Sequence, residues 1–331
     1  MLFGTCRGAS FIVIASALLL GADVVCSETL REALVAKNLP VAAAKLENLD
    51  KNITSGAMLD DESQFVIAYY IDDGTSALNP PLYLERFDRK QKSWRSAALG
   101  KAETRWEDID VPCLGSVMNI TAIGSRYFLD THINPSAGCV LILSREMKLE
   151  ASLYGWLVGK LGTEAVIYHR SQIHFAPVHP AEIALHDFRT KRDVTLFPPK
   201  PESPIRQART RQLQNFYNGN KEWCNKNNDP CDPAYFDSAL EGEVATNEKE
   251  QALAFVISYG QIQLVQEDVQ KPSGPGDVLY VYRGVGDQAK MEYREILLDD
   301  AKAPLGHLSL QDLLQPEVLQ EIFSDVPPKK P

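Results

Sequence analysis

The sequence predicts a mostly β protein with a β-propeller-like fold of four or five blades, each a four-stranded antiparallel meander. Three observations lead to this prediction. From Thr54 onward, short apolar runs alternate with turn residues, which is typical of strands joined by hairpins. Four successive stretches then repeat one layout of four such runs. An insertion and both ends of the chain instead have the apolar spacing of helices.

The four repeated stretches have the same order of runs. The first contains GAML, QFVIAYYI, PLYLERFD and SWRSAAL, and the second contains VMNITAI, RYFLDTH, CVLILS and LEASLYG. The third contains GWLVGK, EAVIYHR, EIALHDF and VTLFPP, and the fourth contains GEVATN, ALAFVISY, DVLYVYR and EYREILL. Repeating four-stranded meanders indicate propeller blades, and a β-sandwich or a set of unrelated hairpins is the alternative.

Three segments outside the blades predict helices. Thr29 and Glu32 match a capping box ahead of a short N-terminal helix. A helical insertion at about residues 198–240 separates the third and fourth stretches, with Pro204 at the first helical position. A helical tail covers about residues 305–331. Since the insertion is too long for a tight blade connection, we expect it to pack across one face of the propeller.

Residues 1–26 have the pattern of a signal peptide. Arg7 supplies positive charge, and residues 10–20 form an apolar core that is too short to span a bilayer as a helix. We expect cleavage after Cys26, with cleavage after Ala22 as the alternative. Lipidation of Cys26 is disfavoured because two valines precede it.

The remaining chain, residues 27–331, is predicted to be one exported domain, secreted or periplasmic. The full sequence has 331 residues, a formal net charge of −10, 44% hydrophobic residues and 24% charged residues. This composition excludes disordered, collagen-like and polytopic membrane proteins. The acidic excess argues against nucleic acid as a partner, because binding a phosphate backbone requires a basic surface. No later segment has the run of about 18 apolar residues that a transmembrane span needs.

Four of the six cysteines lie beyond the predicted signal peptide: Cys113, Cys139, Cys224 and Cys231. An even number in an oxidising compartment predicts two disulfides. Cys224 and Cys231 enclose a short polar loop, which favours their pairing and leaves Cys113 with Cys139, although two other connectivities are possible. A zinc site is the rival interpretation, but neither pair has the two-residue spacing of a zinc knuckle.

A group of histidines with one carboxylate is the candidate site in the central channel. Asp130 and His132 are two residues apart on a predicted strand, so their side chains share one face. His169, His174 and His179 follow in the third stretch. Such ligands suit zinc or a similar ion, and hydrogen bonding to loop backbones is the alternative role. Because the chain has no HExxH motif, we assign no metal and no cofactor.

A local excess of positive charge marks a candidate surface for an anionic partner. Residues 189–212 contain seven basic and two acidic side chains. Arg206, Arg209 and Arg211 fall within the predicted helical insertion. On an acidic protein, such a patch suits an anionic glycan, a lipid surface or an acidic protein. A solvated helix face is the alternative.

The stretches CLGSVMNI, FLDTHINPSAGC and HFAPVHPAEIALHDF are similar to segments of a group of uncharacterised secreted proteins of soil bacteria. Taken together, the blades resemble secreted bacterial propellers related to the Tol-system and WD-repeat types. The resemblance covers most of the mature chain and implies export and a propeller-like fold. It implies no catalytic residues, because that group has no assigned activity. The chain lacks a regular WD dipeptide at blade ends, which leaves the blade number open.

These features predict a binding or scaffolding module for a protein or glycan of the cell envelope. The chain has no GxSxG, SxxK or P-loop motif, and so no catalytic signature. The alternative is a hydrolase with its site in the central channel. Such an enzyme would be metal-assisted or would use paired carboxylates as glycosidases do.

Overall fold

The computed structural model confirms a mostly β fold built from antiparallel sheets. It describes residues 23–25, 28–41, 46–71, 81–100, 103–106, 109–134, 137–170, 182–199, 204–219, 221–222, 226, 238–259, 276–287, 289–298 and 309–324. These residues form two compact units, with unit 1 ending at Trp156 and unit 2 beginning at Leu157. The prediction of one domain over residues 27–331 stays a prediction.

Unit 1 contains two antiparallel meanders and a short hairpin. Its strands are β1 (Asp23–Val25), β2 (Ile53–Asp60), β3 (Gln64–Ile71), β4 (Leu82–Asp88), β5 (Ser93–Leu99), β6 (Glu103–Trp106), β7 (Ile109–Pro112), β8 (Ser116–Ile123), β9 (Arg126–Asn134), β10 (Ala137–Ser144) and the first part of β11 (Leu149–Leu161). The first sheet has the order β1-β2-β3-β4-β5, and β8 to β11 follow one another in the second. The hairpin pairs β6 with β7.

Unit 2 contains the other two meanders. Its further strands are β12 (Ala165–Arg170), β13 (Ile183–Asp187), β14 (Arg192–Phe197), β15 (Ser238–Asn247), β16 (Ala252–Tyr259), β17 (Gly276–Arg283) and β18 (Glu292–Leu298). The second part of β11 pairs with β12, and β15 to β18 form a separate four-stranded sheet. Every apolar run of the four predicted stretches therefore lies in a strand, in the predicted order. The sequence predicts LEASLYG and GWLVGK as separate strands, but they form the single strand β11, so that β8–β14 make one seven-stranded sheet.

Strand β11 serves two meanders because it continues across the boundary between the units. Its first part pairs with β10, as in Cys139 opposite Tyr154. Gly155, one residue before the end of unit 1, has a φ of 153°. A side chain with a Cβ rarely adopts this conformation, so glycine is suited to the point where the strand changes partners.

Each unit buries one apolar core between its two meanders. In unit 1 the first sheet contributes residues such as Val66 and Leu84, and the second contributes Leu129 and Leu141. In unit 2 the equivalent core lies between β12–β14 and β15–β17. Because side chains alternate along a strand, the opposite faces of the first and last sheets need separate covers.

Short helical segments provide those covers. Helix α1 (Leu30–Ala36) packs on the outer face of the first sheet through Leu30, Ala33 and Leu34. A 3₁₀ turn at Asp312–Leu314 and helix α3 (Pro316–Ile322) pack on the outer face of the last sheet.

The predicted helix starts agree with the structure. Thr29 accepts a hydrogen bond from the Glu32 amide, and the Glu32 carboxylate accepts one from the Thr29 amide, which is the predicted capping box. In the insertion, helix α2 (Pro204–Gly219) begins at the predicted proline.

One of the two predicted disulfides is confirmed. Cys113 and Cys139 are bonded, with their Cα atoms 5.4 Å apart. The buried Thr131 hydroxyl between them donates to the Cys113 carbonyl at 2.7 Å and approaches the Cys139 carbonyl at 3.3 Å. The bridge thereby ties the segment before β8 to β10 across strand β9. Cys224 and Cys231 lie outside the described residues.

Candidate functional site

A group of bonded ionisable side chains in unit 2 lies on the face of β12–β14 opposite the core of that unit. It comprises Tyr168, Arg170, Glu182, His186 and Asp193, and is called the Asp193 cluster below. Strand alternation places Tyr168 and Arg170 on the face opposite the core residue Ile167. The hairpin of β13 and β14 sets His186 directly opposite Asp193.

Asp193 is the centre of this cluster because three side chains converge on its carboxylate. One oxygen, Oδ1, lies 2.7 Å from His186 Nδ1. The other, Oδ2, accepts a hydrogen bond from the Tyr168 hydroxyl at 2.8 Å and lies 3.7 Å from Arg170 Nη2. The guanidinium of Arg170 also donates to Glu182 through Nη1 and to the Tyr168 hydroxyl through Nε at 3.2 Å.

These contacts stabilise the charged form of Asp193. Partial burial acts to raise the pKa of Asp193, but the hydrogen bonds from His186 and Tyr168 and the charge of Arg170 outweigh it, so the net pKa is lowered. Burial and the neighbouring Asp193 charge raise the pKa of Tyr168, which stays a neutral donor.

The cluster presents fixed charges to solvent. The side chains of Arg170, Glu182 and Asp193 are 25%, 33% and 35% exposed, and the His186 side chain is 9% exposed with its ring edge-on to Phe188. In a hydrolytic triad, a carboxylate likewise accepts a hydrogen bond from histidine Nδ1 and so orients the ring. Each of the five members is bonded to another member, so the group is pre-organised and holds its charges in one geometry.

A second carboxylate, in unit 1, has a very different environment. Glu85 of β4 is 2% exposed and faces the side of the sheet that α1 covers. The hydroxyl of Ser96, directly opposite on β5, donates to Glu85 Oε2, and the Tyr69 hydroxyl donates to Oε1 at 3.2 Å. Asn48 Nδ2 in turn donates to the Tyr69 oxygen at 3.3 Å. Burial raises the pKa of Glu85 to about 7 despite these hydrogen bonds.

The predicted channel residues fall in both units. Asp130 and His132 lie on β9 in unit 1, where Asp130 Oδ2 accepts a hydrogen bond from Asn119 at 3.4 Å. His169 lies on β12 in unit 2, on the opposite face from Tyr168 and Arg170. Burial lowers the pKa of His169. The structure therefore keeps His169 apart from the Asp193 cluster.

The other two histidines, His174 and His179, lie outside the described residues. Within the part of the chain that the structure describes, no three His, Cys, Asp or Glu side chains are grouped so that they could hold a metal ion. The convergence of the five predicted residues on one site stays a prediction.

Helix α2 carries the predicted arginines. Arg206, Arg209 and Arg211 lie within its 16 residues, Pro204–Gly219, which include no Asp or Glu. Ile205 near its start packs against the core of unit 2. Arg211 is exposed, and its Nε donates to the carbonyl of Gln207 at 3.3 Å. The helix is thus attached to unit 2 at its first turn.

The Asp193 cluster is not among the sites predicted from the sequence. The predicted site groups histidines that are close along the chain, whereas the cluster depends on pairing across strands. A usable signal exists in the hairpin between EIALHDF and VTLFPP, because a tight turn at residues 188–191 places His186 opposite Asp193.

Comparison with known proteins adds no further information on the site. The chain matches no protein-family model, and no curated protein is significantly similar to it. Among the helices in the described ranges, none has the length and apolar character needed to cross a membrane.

Proposed function

We propose that this chain is an exported binding module that recognises an anionic glycan of the cell envelope through helix α2. The observation that carries the proposal is the charge of this helix: three arginines and no acidic residue in a chain whose net charge is −10. A local excess of positive charge on an acidic protein attracts polyanions, while the remaining acidic surface repels them. The two effects together give both affinity and orientation.

Export is supported by the bond between Cys113 and Cys139. Disulfides persist in secreted and periplasmic proteins and are rare in the cytosol, where thiols are kept reduced. This bond and the apolar N-terminal segment are both expected of a chain that leaves the cytosol through a signal peptide.

The finer architecture that we propose is a propeller in which each of the four meanders is one blade. The proposal is supported by the sequential antiparallel pairing in the sheets β1–β5, β8–β14 and β15–β18, in which β11 is shared by two meanders, and by the apolar core within each unit. Propellers commonly present binding faces, but this point is an analogy of fold and supports the binding role only as such.

The test is the affinity of the purified full chain for dextran sulfate, with neutral dextran as the reference glycan. In the variant R206Q/R209Q/R211Q, we expect binding to weaken about tenfold, since exposed ion pairs contribute roughly 0.5 kcal/mol each. Raising the salt concentration should weaken binding by the unmodified chain and have less effect on the variant. Isothermal titration calorimetry measures both.

The matched control is K148Q/K160Q/K249Q, which changes the net charge equally at three exposed lysines. If this control weakens binding as strongly as the arginine variant, overall charge explains the attraction and helix α2 is not the binding surface. Equal binding to dextran and dextran sulfate would refute the proposal directly.

A further inference from the structure

The segment just before α1 forms the outer strand of the first sheet. Strand β1 pairs antiparallel with β2, with Asp23 opposite Met58, Val24 opposite Ala57 and Val25 opposite Gly56.

The same register continues to the start of the helix. Thr29 forms an antiparallel bridge with Asn52, six residues along each strand from the pair of Asp23 and Met58. The Glu28 carbonyl accepts a hydrogen bond from the Ile53 amide at 2.8 Å. The contacts at residues 23–25 and at residues 28–29 thus share one register.

This strand pairs with a part of β2 whose side chains are apolar and buried on both faces of the sheet. Ala57 and Met58 of β2 are 0% and 7% exposed, and Gly56 is buried. An open edge presents unpaired backbone N–H and C=O groups, and an apolar edge of this kind favours pairing with other chains. In the folded protein, residues 23–25 supply partners for the backbone groups of this edge.

The two candidate cleavage points differ in what they leave on this edge. Cleavage after Cys26 removes β1 and exposes the backbone of residues 56–58. Cleavage after Ala22 leaves the aligned segment whole, with Asp23 as the first residue. For a cut after Ala22, the third residue before the cut is Leu20, which is larger than the small residue that the cleavage pattern prefers there. The sequence pattern alone therefore favours Cys26.

We infer that the exported chain is cut between Ala22 and Asp23, and that residues 23–25 remain as the edge strand of the mature protein. The inference rests on the proposed export. The reaction is hydrolysis by the signal peptidase of the exporting cell. Water supplies the hydroxyl to the Ala22 carbonyl carbon and a proton to the Asp23 nitrogen as the peptide bond breaks, leaving a carboxylate and an ammonium group.

The test is the intact mass and N-terminal sequence of the full chain after export by a bacterial host. An N-terminus at Asp23 supports the inference. An N-terminus at Ser27 overturns it and leaves the export proposal standing. An unprocessed chain retained in the cytosol refutes export, and the inference with it.

Two variants locate the cut independently. A bulky residue just before the cut blocks signal peptidases, so A22Y should accumulate as the precursor while C26Y is processed like the unmodified chain. The opposite result would place the cut after Cys26.

A structural readout completes the test. Amide hydrogens on alternate residues of β2 point toward β1, and these should exchange slowly in the mature protein. Exchange should accelerate at least tenfold when residues 23–25 are deleted, because their hydrogen-bond partners are lost. Unchanged exchange would show that β1 does not cover this edge.

Discussion

Glu85 in unit 1 and Asp193 in unit 2 are two carboxylates with opposite electrostatic character. Both accept hydrogen bonds from a tyrosine hydroxyl. Glu85 is 2% exposed and has Ser96 as its other donor, whereas the Asp193 side chain is 35% exposed and contacts Arg170 and His186. The pKa of Glu85 is raised to about 7 and the pKa of Asp193 is lowered.

The comparison shows that hydroxyl donors alone do not stabilise a buried carboxylate charge in this fold. Neutral donors satisfy the oxygens of Glu85, but they do not replace the hydration that the charge loses on burial. At Asp193, the hydrogen bonds from His186 and Tyr168 and the charge of Arg170 outweigh the effect of partial burial. The two sites should therefore respond to pH in different ranges.

The largest expected effect is the loss of neutral-range pH dependence in E85Q. Glu85 binds its proton more tightly in the folded state, so its stabilising contribution is fully present below about pH 4.3 and is lost as pH rises through about 7. The unmodified chain should lose up to about 3 kcal/mol of unfolding free energy over this range. E85Q should lack this decline, as measured by urea unfolding between pH 4.5 and pH 8.5.

The control for this comparison is E146Q, a change of the same type at an exposed position. It should preserve the pH dependence of the unmodified chain. If E85Q and E146Q give parallel curves, Glu85 does not carry a proton at neutral pH and the contrast between the two carboxylates is wrong.

The sheet containing Glu85 illustrates how much of the fold the sequence predicts. In PLYLERFD the alternation of Leu82 and Leu84 with Tyr83 and Glu85 correctly predicts a strand. The alternation does not show that both faces of this strand are covered. One face is covered by α1, which is distant from β4 in the sequence. From the strand pattern alone, Glu85 is therefore expected to face solvent, as a charged residue that alternates with apolar ones usually does.

The same limit applies to the Asp193 cluster. The sequence predicts β12, β13 and β14 individually, and the capping box and the Cys113–Cys139 bond are also predicted correctly. Side-chain chemistry at the cluster depends on cross-strand register, which strand patterns alone do not fix. His169 and Arg170 are neighbours in sequence and lie on opposite faces, so closeness along the chain misidentifies the partners.

A smaller effect is expected when the cation at Asp193 is removed. R170M should destabilise the fold by about 2 kcal/mol at pH 7, because two partly buried carboxylates lose their shared guanidinium. The stabilising contribution of Asp193 is present above the ordinary aspartate pKa and is lost as pH falls through its lowered value. In R170M the pKa of Asp193 should be higher, so its stabilising contribution should begin to fall at a higher pH. NMR titration of the Asp193 carboxyl measures this pKa.

R189M is the matched control, since Arg189 is 73% exposed and lies 3.9 Å from Asp187. It should change stability by less than about 0.5 kcal/mol, as exposed ion pairs contribute little. If R170M also leaves the titration of Asp193 unchanged, the hydrogen bonds from His186 and Tyr168 rather than the guanidinium keep this carboxylate charged.

The smallest expected effect comes from S96A, which removes one hydroxyl donor from Glu85. A hydrogen bond to a charged acceptor is worth more than one to a neutral acceptor, so S96A should cost about 1.5 kcal/mol at pH 8.5 and about half as much at pH 5. The midpoint of the pH-dependent decline in stability should also move upward, because the charged form loses more than the protonated form.

Urea unfolding across this range measures both quantities, with S93A on the same strand as the control. A loss that is equal at both pH values would mean that the Ser96 hydroxyl does not distinguish the charged Glu85 from the protonated one and does not lower its pKa.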